Sequence, residues 1–180
     1  MPIYMDRHDL LESVTAEEVA RLHQEDLKVE DEFGCKGLTY WFDDQRKTAF
    51  CLIKAPNKKA LKEMHKHAHG DIPNSIVEVD PSVVESFLGR IEDPVKAMNT
   101  DLNIINDPAF RVLVRVDLRS TNLKSLRDND SRDNLAKCRN TLRDITKRYS
   151  GREIKAGLSG CLFSFDSISN AVNFALDVNR

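Results

Sequence analysis

The first 80 residues alternate between two hydrophobic periods, and that alternation most constrains the fold. Pro2 to Asp6 sets Ile3 and Met5 against Tyr4 and Asp6, the two-residue repeat of a strand. If the strand runs on, His8 shares a face with Tyr4 and Asp6. Thr15-Ala-Glu-Glu18 then has capping-box spacing, opening a helix in which Val19, Leu22 and Leu27 form an apolar stripe to about Glu32, closed by Gly34. His23 and Asp26 stand at i, i+3 on it and can share a face, although an exposed charged face suits Asp26 equally well. Leu38-Thr-Tyr-Trp-Phe42 and Thr48-Ala-Phe-Cys-Leu-Ile53 read as a hairpin across the polar turn Asp43-Asp-Gln-Arg46. A second helix runs from Lys58 to about His69, before Gly70, and Ser75-Ile-Val-Glu-Val79 is a last strand.

The order β-α-β-β-α-β predicts an α+β, ferredoxin-like sandwich, with two helices over one face of a four-stranded sheet. The other face needs cover, so a homodimer paired through the sheet is expected, with Tyr40, Trp41 and Phe42 in the core and on that surface.

Three of the five histidines fall in His65-Lys-His-Ala-His69. On a helix His65 and His69 lie one turn apart on one side, and His67 points elsewhere. Such a pair is half of a metal site, because neutral imidazoles converge on an ion without repelling it. The bland alternative is a solvated helix end. No histidine follows His69, so further imidazoles can come only from His8 and His23, with Asp6 and Asp26 as carboxylate ligands or as acceptors fixing a tautomer. Nitrogen and oxygen donors suit Ni, Cu, Zn or Co, with copper usually bound most strongly. Cys35, Cys51, Cys138 and Cys161 are scattered without a Cys-x-x-Cys pair, which argues against a cysteine zinc site and for reduced, mostly buried thiols.

These residues carry a resemblance. Tyr4-Met-Asp-Arg-His8, His23-Gln-Glu-Asp-Leu27, Tyr40-Trp-Phe-Asp43, Phe50-Cys-Leu52, Ala55-Pro56 and His65-Lys-His-Ala-His-Gly70 together resemble a small nickel-binding ferredoxin-like family of bacteria. The likeness spans Pro2 to about Asp80. It implies a dimeric ferredoxin-like fold that binds divalent nickel through histidines and carboxylates. His8, His23, His65 and His69 fall on the family pattern, while His67 departs from it.

Residues 81–109, with an apolar turn from Val83 to Leu88 and then Gly89, Pro94 and Pro108, read as a linker with a little helix. Beyond it come a strand at Phe110–Val116, a polar stretch through Ser120, Thr121 and Asn122 leading into helical turns, and a helix from about Asp133 to Tyr149. On that helix Leu135, Cys138, Leu142 and Ile145 share a face. A hairpin at 152–155 and 162–165 and a final helix follow. Val116-Asp-Leu-Arg-Ser-Thr121, Tyr149-Ser-Gly-Arg-Glu-Ile-Lys155, Gly160-Cys-Leu-Phe-Ser-Phe-Asp166 and the closing helix resemble the N-terminal part of a class III nucleotidyl cyclase domain. In such cyclases two aspartates hold two metal ions. Asp117 keeps the first position, but Ser159 stands at the second and supplies no charge. The phosphate turn after Asp117 is one residue short, and the later strands of a cyclase domain are missing. Residues 110–180 therefore read as a shortened, degenerate, incomplete ferredoxin-like module without catalysis.

Net charge separates the halves. Residues 1–80 carry 11 Lys+Arg against 16 Asp+Glu, whereas 81–180 carry 16 against 13, too weak an excess to argue nucleic-acid binding. No segment has the roughly 18 apolar residues of a membrane span, and the N-terminus lacks the apolar core of a signal peptide, so a cytoplasmic protein is expected. The leading expectation is a cytoplasmic nickel-binding homodimer with an appended module for sensing, storage or regulation. The alternatives are a nucleotide-binding protein or residual cyclase controlled by the metal domain, and a dimer that binds a small organic molecule.

Overall fold

A computed structural model describes residues 1–94, 102–105, 107–118, 129–157 and 160–179, without the side chains of 129–132. The chain divides into two compact units, residues 1–85 with 90–109 and residues 86–89 with 110–180.

The first unit runs β1 (Ile3–Asp9), α1 (Ala16–Val29), β2 (Lys36–Asp43), β3 (Thr48–Lys54), α2 (Lys58–Ala68) and β4 (Ser75–Val79). Its sheet has the order β2-β3-β1-β4 with every pairing antiparallel, the ferredoxin-like arrangement the sequence predicts. Local chemistry sets the boundaries. The Thr15 hydroxyl accepts from the Glu18 amide at 3.3 Å to cap α1, and Asn57 Oδ1 accepts from the Ala60 amide at 3.0 Å to cap α2. A short 3-10 turn, Glu30–Phe33, ends α1 at Gly34, whose φ of 61° is the left-handed conformation glycine tolerates best.

Strand β1 places Tyr4, Asp6 and His8 on the helix side, where all three are buried. Register puts Asp6 opposite Cys51 and His8 opposite Ala49 on β3. Tyr4, Val19, Ala20, Tyr40, Phe42, Ile53, Leu61 and Met64 form the apolar core around them. Leu27 does not continue that stripe, being 36% exposed, and the inward positions of α1 are instead Val19, Ala20, His23 and Asp26. Asp26 is thus a buried carboxylate rather than part of an exposed charged face.

The face of the sheet away from the helices is not bare. Trp41 and Leu52 are fully buried, and the Arg90 guanidinium lies over the Trp41 indole at 4.4 Å. Val77 on the same face stays half exposed. The stretch 81–109 holds a short helix, α3 (Pro81–Leu88), and residues 90–109 group with the first unit, where the Asp93 amide donates to the Leu38 carbonyl at 3.0 Å along β2.

The second unit contains β5 (Val112–Asp117), α4 (Asn129–Arg148), β6 (Arg152–Ala156), β7 (Gly160–Phe165) and α5 (Ile168–Val178). Its antiparallel sheet, β5-β7-β6, repeats the wind of the first unit with three strands among the described residues, an incomplete ferredoxin-like module. Phe163 and Phe165 each meet the Phe174 ring at 5.1 Å in a core shared with Leu142, Ile145, Cys161 and Ala171. Cys138 is exposed and does not join Leu142 and Ile145 inside. Ser120, Thr121, Asn122 and Ser159 lie outside the described residues, as do the helical turns expected near them. Among the described residues no helix is long and apolar enough to cross a membrane.

Candidate metal centre

Three elements converge under the helices of the first unit: β1 with Asp6 and His8, α1 with His23 and Asp26, and the end of α2 with His65 and His69. His8, His23, Asp26, His65 and His69 line one pocket together with Leu10, Val19, Leu22, Ala49, Cys51 and Asp71, and Asp6 lies behind it against His65 and His8. Helical spacing brings His65 and His69 together, since one turn separates them, and their rings stand 5.3 Å apart.

The centre of the cluster is a triangle of donor atoms. Asp26 Oδ1 is 3.0 Å from His65 Nδ1 and 3.2 Å from His69 Nε2, and those two nitrogens are 3.3 Å apart. The contacts of Asp26 Oδ1 are close approaches rather than aligned hydrogen bonds, so this buried oxygen keeps unused acceptor capacity. On its other nitrogen His65 meets Asp6, with Nε2 2.9 Å from Asp6 Oδ2. Asp6 Oδ1 accepts from the Cys51 amide at 3.2 Å, which anchors the carboxylate to β3. His8 stands beyond, with Nε2 3.5 Å from Asp6 Oδ1 and Nδ1 3.3 Å from Asp71 Oδ2, neither nitrogen in an aligned hydrogen bond. The Asp71 amide donates to His69 Nδ1 at 3.1 Å, so the proton of neutral His69 sits on Nε2, facing the triangle.

Charge is distributed accordingly. Burial opposes ionisation of Asp26, but the contacts with His65 and His69 outweigh it and hold the carboxyl down to about 2. Asp6 behaves alike: burial works against its charge, and the bond with His65 together with the close approach of His8 still brings its pKa below the usual carboxylate value. Burial alone would lower His65, yet Asp26 and Asp6 push it up to about 10. The metal-free cluster is therefore a protonated His65 clamped between two carboxylates. Burial, reinforced by the charge of Asp6, raises the Cys51 thiol well above its ordinary value, so it is no ready thiolate.

The other expected residues are placed differently. His23 lines the pocket but stands outside the triangle, its Nε2 3.2 Å from Asp93 Oδ2. His67 is exposed, 4.0 Å from Glu32 and stacked loosely against Phe33, and takes no part in the cluster. Asp117 ends β5 in the other unit, where its carboxylate accepts from Arg115 Nε at 2.8 Å. Two groups carry no expectation from the sequence: Asp71, which lines the pocket two residues after His69, and Asp93, which contacts His23. Cys51, expected as a buried thiol, lines the pocket because strand register sets it opposite Asp6. Asp93 has no local signal, since only the return of the chain to β2 brings it near His23.

A family model described as SCO4226-like, nickel responsive protein, matches residues 4–79. The crystal structure of SCO4226 from Streptomyces coelicolor A3(2) is 30% identical over 43% of this chain and 94% of that one, with a TM-score of 0.41. The chain belongs to the SCO4226-like family. Membership rests on the first unit, and every donor of the triangle lies inside the matched residues. Two further solved structures span nearly the whole chain. A bacterial light-regulated adenylyl cyclase is 16% identical, with 98% of this chain and 64% of that one aligned and a TM-score of 0.32. The putative chlorite dismutase TA0507 is 15% identical, with 100% and 86% aligned and a TM-score of 0.30. Scores that low carry no argument about either unit. A comparison with curated proteins returns no match.

Proposed function

We propose that the first unit captures a divalent transition-metal ion, nickel by the description of its family, on Asp26, His65 and His69. The observation that carries this reading is the donor triangle with edges of 3.0, 3.2 and 3.3 Å. Donors about 2.0–2.2 Å from one ion stand about 2.8–3.1 Å apart at octahedral angles and about 3.3–3.6 Å apart at tetrahedral ones. The observed edges fall within that combined span without any backbone movement. The donor types also fit, since two imidazoles and a carboxylate suit nickel and its neighbours in the series. His8 and His23 line the same pocket and are the remaining imidazoles within reach.

Asp6 has a different task. Its bond to His65 Nε2 fixes the ring and leaves Nδ1 as the nitrogen directed at Asp26 and His69. Bound there, the ion would supply the positive charge that the His65 proton supplies in the metal-free cluster. Uptake must displace that proton, and also the Nε2 proton of His69, whose other nitrogen already accepts from the Asp71 amide. Affinity should therefore rise with pH, and binding should release protons.

The test is calorimetric titration of the full, tag-free chain with Ni²⁺ in two buffers of different ionisation enthalpy. About one ion per chain and a buffer-dependent heat are expected. No uptake in metal-stripped protein would end this reading.

A further inference from the structure

The segment that follows the family-matched residues reaches a histidine that lines this pocket. His23 is buried to 4% exposure on α1, and its Nε2 lies 3.2 Å from Asp93 Oδ2. The same oxygen accepts from Asn103 Nδ2 at 2.6 Å. The segment is tied to β2 at several points. The Asp93 amide donates to the Leu38 carbonyl, Arg90 donates to the Thr39 hydroxyl and to the Tyr40 carbonyl at 2.6 Å, and the Ile105 amide donates to the Tyr40 hydroxyl at 3.0 Å. Tyr40 in turn donates to the Asn103 carbonyl at 2.5 Å and stacks on the His23 ring at 5.0 Å. Asp93 and Asn103 both lie beyond residue 79, where the family match ends.

A carboxylate can only accept from an imidazole nitrogen that carries the proton. In the neutral form of His23 the contact with Asp93 thus places the proton on Nε2 and leaves Nδ1 as the lone-pair nitrogen. Asp6 stands in the same relation to His65, on the same ring nitrogen. We infer that Asp93, held by Asn103 and by the edge of β2, is a positioning residue that fixes the tautomer and ring of His23 so that its Nδ1 serves as a further nitrogen donor to the pocket ion. The site of this chain is then built from the family domain together with its own added segment. This inference rests on the metal-binding reading, but its tautomer component is measurable without metal.

The experiment uses the full-length chain with ¹⁵N-labelled histidine. Long-range ¹H–¹⁵N spectra of the metal-free wild type should show His23 with Nε2 protonated and Nδ1 bare. Asp93→Leu, which keeps bulk and removes the acceptor, should lose that form, while Asp93→Asn, which retains an acceptor oxygen, should keep it. Nickel affinity should fall about 10–100-fold in folded Asp93→Leu and only a few-fold in Asp93→Asn. A wild-type His23 protonated on Nδ1 would overturn the inference even if Asp93→Leu failed to fold. So would unchanged affinity in folded Asp93→Leu. A wild type that takes up no nickel would refute the metal reading instead, and the tautomer spectra would still decide whether Asp93 sets the ring.

Discussion

Replacing Asp26 by Asn removes one negative charge from the centre of the cluster and changes almost nothing else in volume. The carboxyl is held down from 3.8 to about 2, which converts to about 2 kcal/mol at about 1.36 kcal/mol per unit. Truncating a buried ion pair costs about 3–5 kcal/mol when the partner charge is stranded. Here the loss is capped, because His65 can release its proton and keep one bond to Asp6. A destabilisation of about 2–3 kcal/mol is therefore expected for the metal-free variant near pH 5–6. The sign on each side follows from the two groups. Asp26 is lowered in the folded state, so its contribution is present above 3.8 and is lost as pH falls through about 2. His65 is raised, so its contribution is complete below 6.5 and is lost as pH rises through about 10. Both describe one interaction, and the gap between wild type and variant should be widest between about pH 4 and 6.5, narrowing on either side. Trp41 is the sole tryptophan and is fully buried in the first unit, so its fluorescence during urea unfolding reports the relevant transition. A difference below about 0.5 kcal/mol at pH 5–6, or one that does not change with pH, would refute the picture of a clamped imidazolium.

Other outcomes follow from the same geometry. Changing His65 and His69 together to Ala should abolish nickel uptake while far-UV circular dichroism still shows the sandwich; retained stoichiometry would exclude the pair. His67→Ala should leave affinity within about two-fold, since an exposed ring outside the cluster contributes nothing to it. In the second unit, Gly151→Ala would drive a methyl into the Phe165 ring edge and to 2.8 Å from Thr146 Cγ2. It should destabilise that unit by about 1–3 kcal/mol, seen as faster hydrogen exchange of β7 amides with those of β1 unaffected.

Much of the first unit was legible because its signals are local. Period-two strands, two side-chain caps and a glycine with positive φ set the element order, and one helical turn between His65 and His69 sets their convergence. What was not legible depends on tertiary packing. Leu27 reads as apolar and therefore inward, yet α1 is rotated so that His23 and Asp26 take the buried positions. The rotation is intelligible only once Asp26 has His65 and His69 to pair with, since a carboxylate is buried only where its charge is met. His67 looked equal to its neighbours in composition and is separated from them by helical direction alone. Asp93 was invisible because a carboxylate 70 residues from its histidine leaves no spacing to read. The second unit gave up its strands and final helix in the same way, while Ser159, on which the degenerate cyclase reading turns, falls outside the described residues.

Nickel-edge anomalous diffraction from crystals of the chain grown with Ni²⁺ tests whether Asp26, His65 and His69 hold one ion between them. A peak bonded to Asp26 Oδ1, His65 Nδ1 and His69 Nε2 is expected, with the Asp6 carboxylate still on His65 Nε2. A nickel peak elsewhere on the chain, with this triangle empty and His65 still clamped between its two carboxylates, would contradict it.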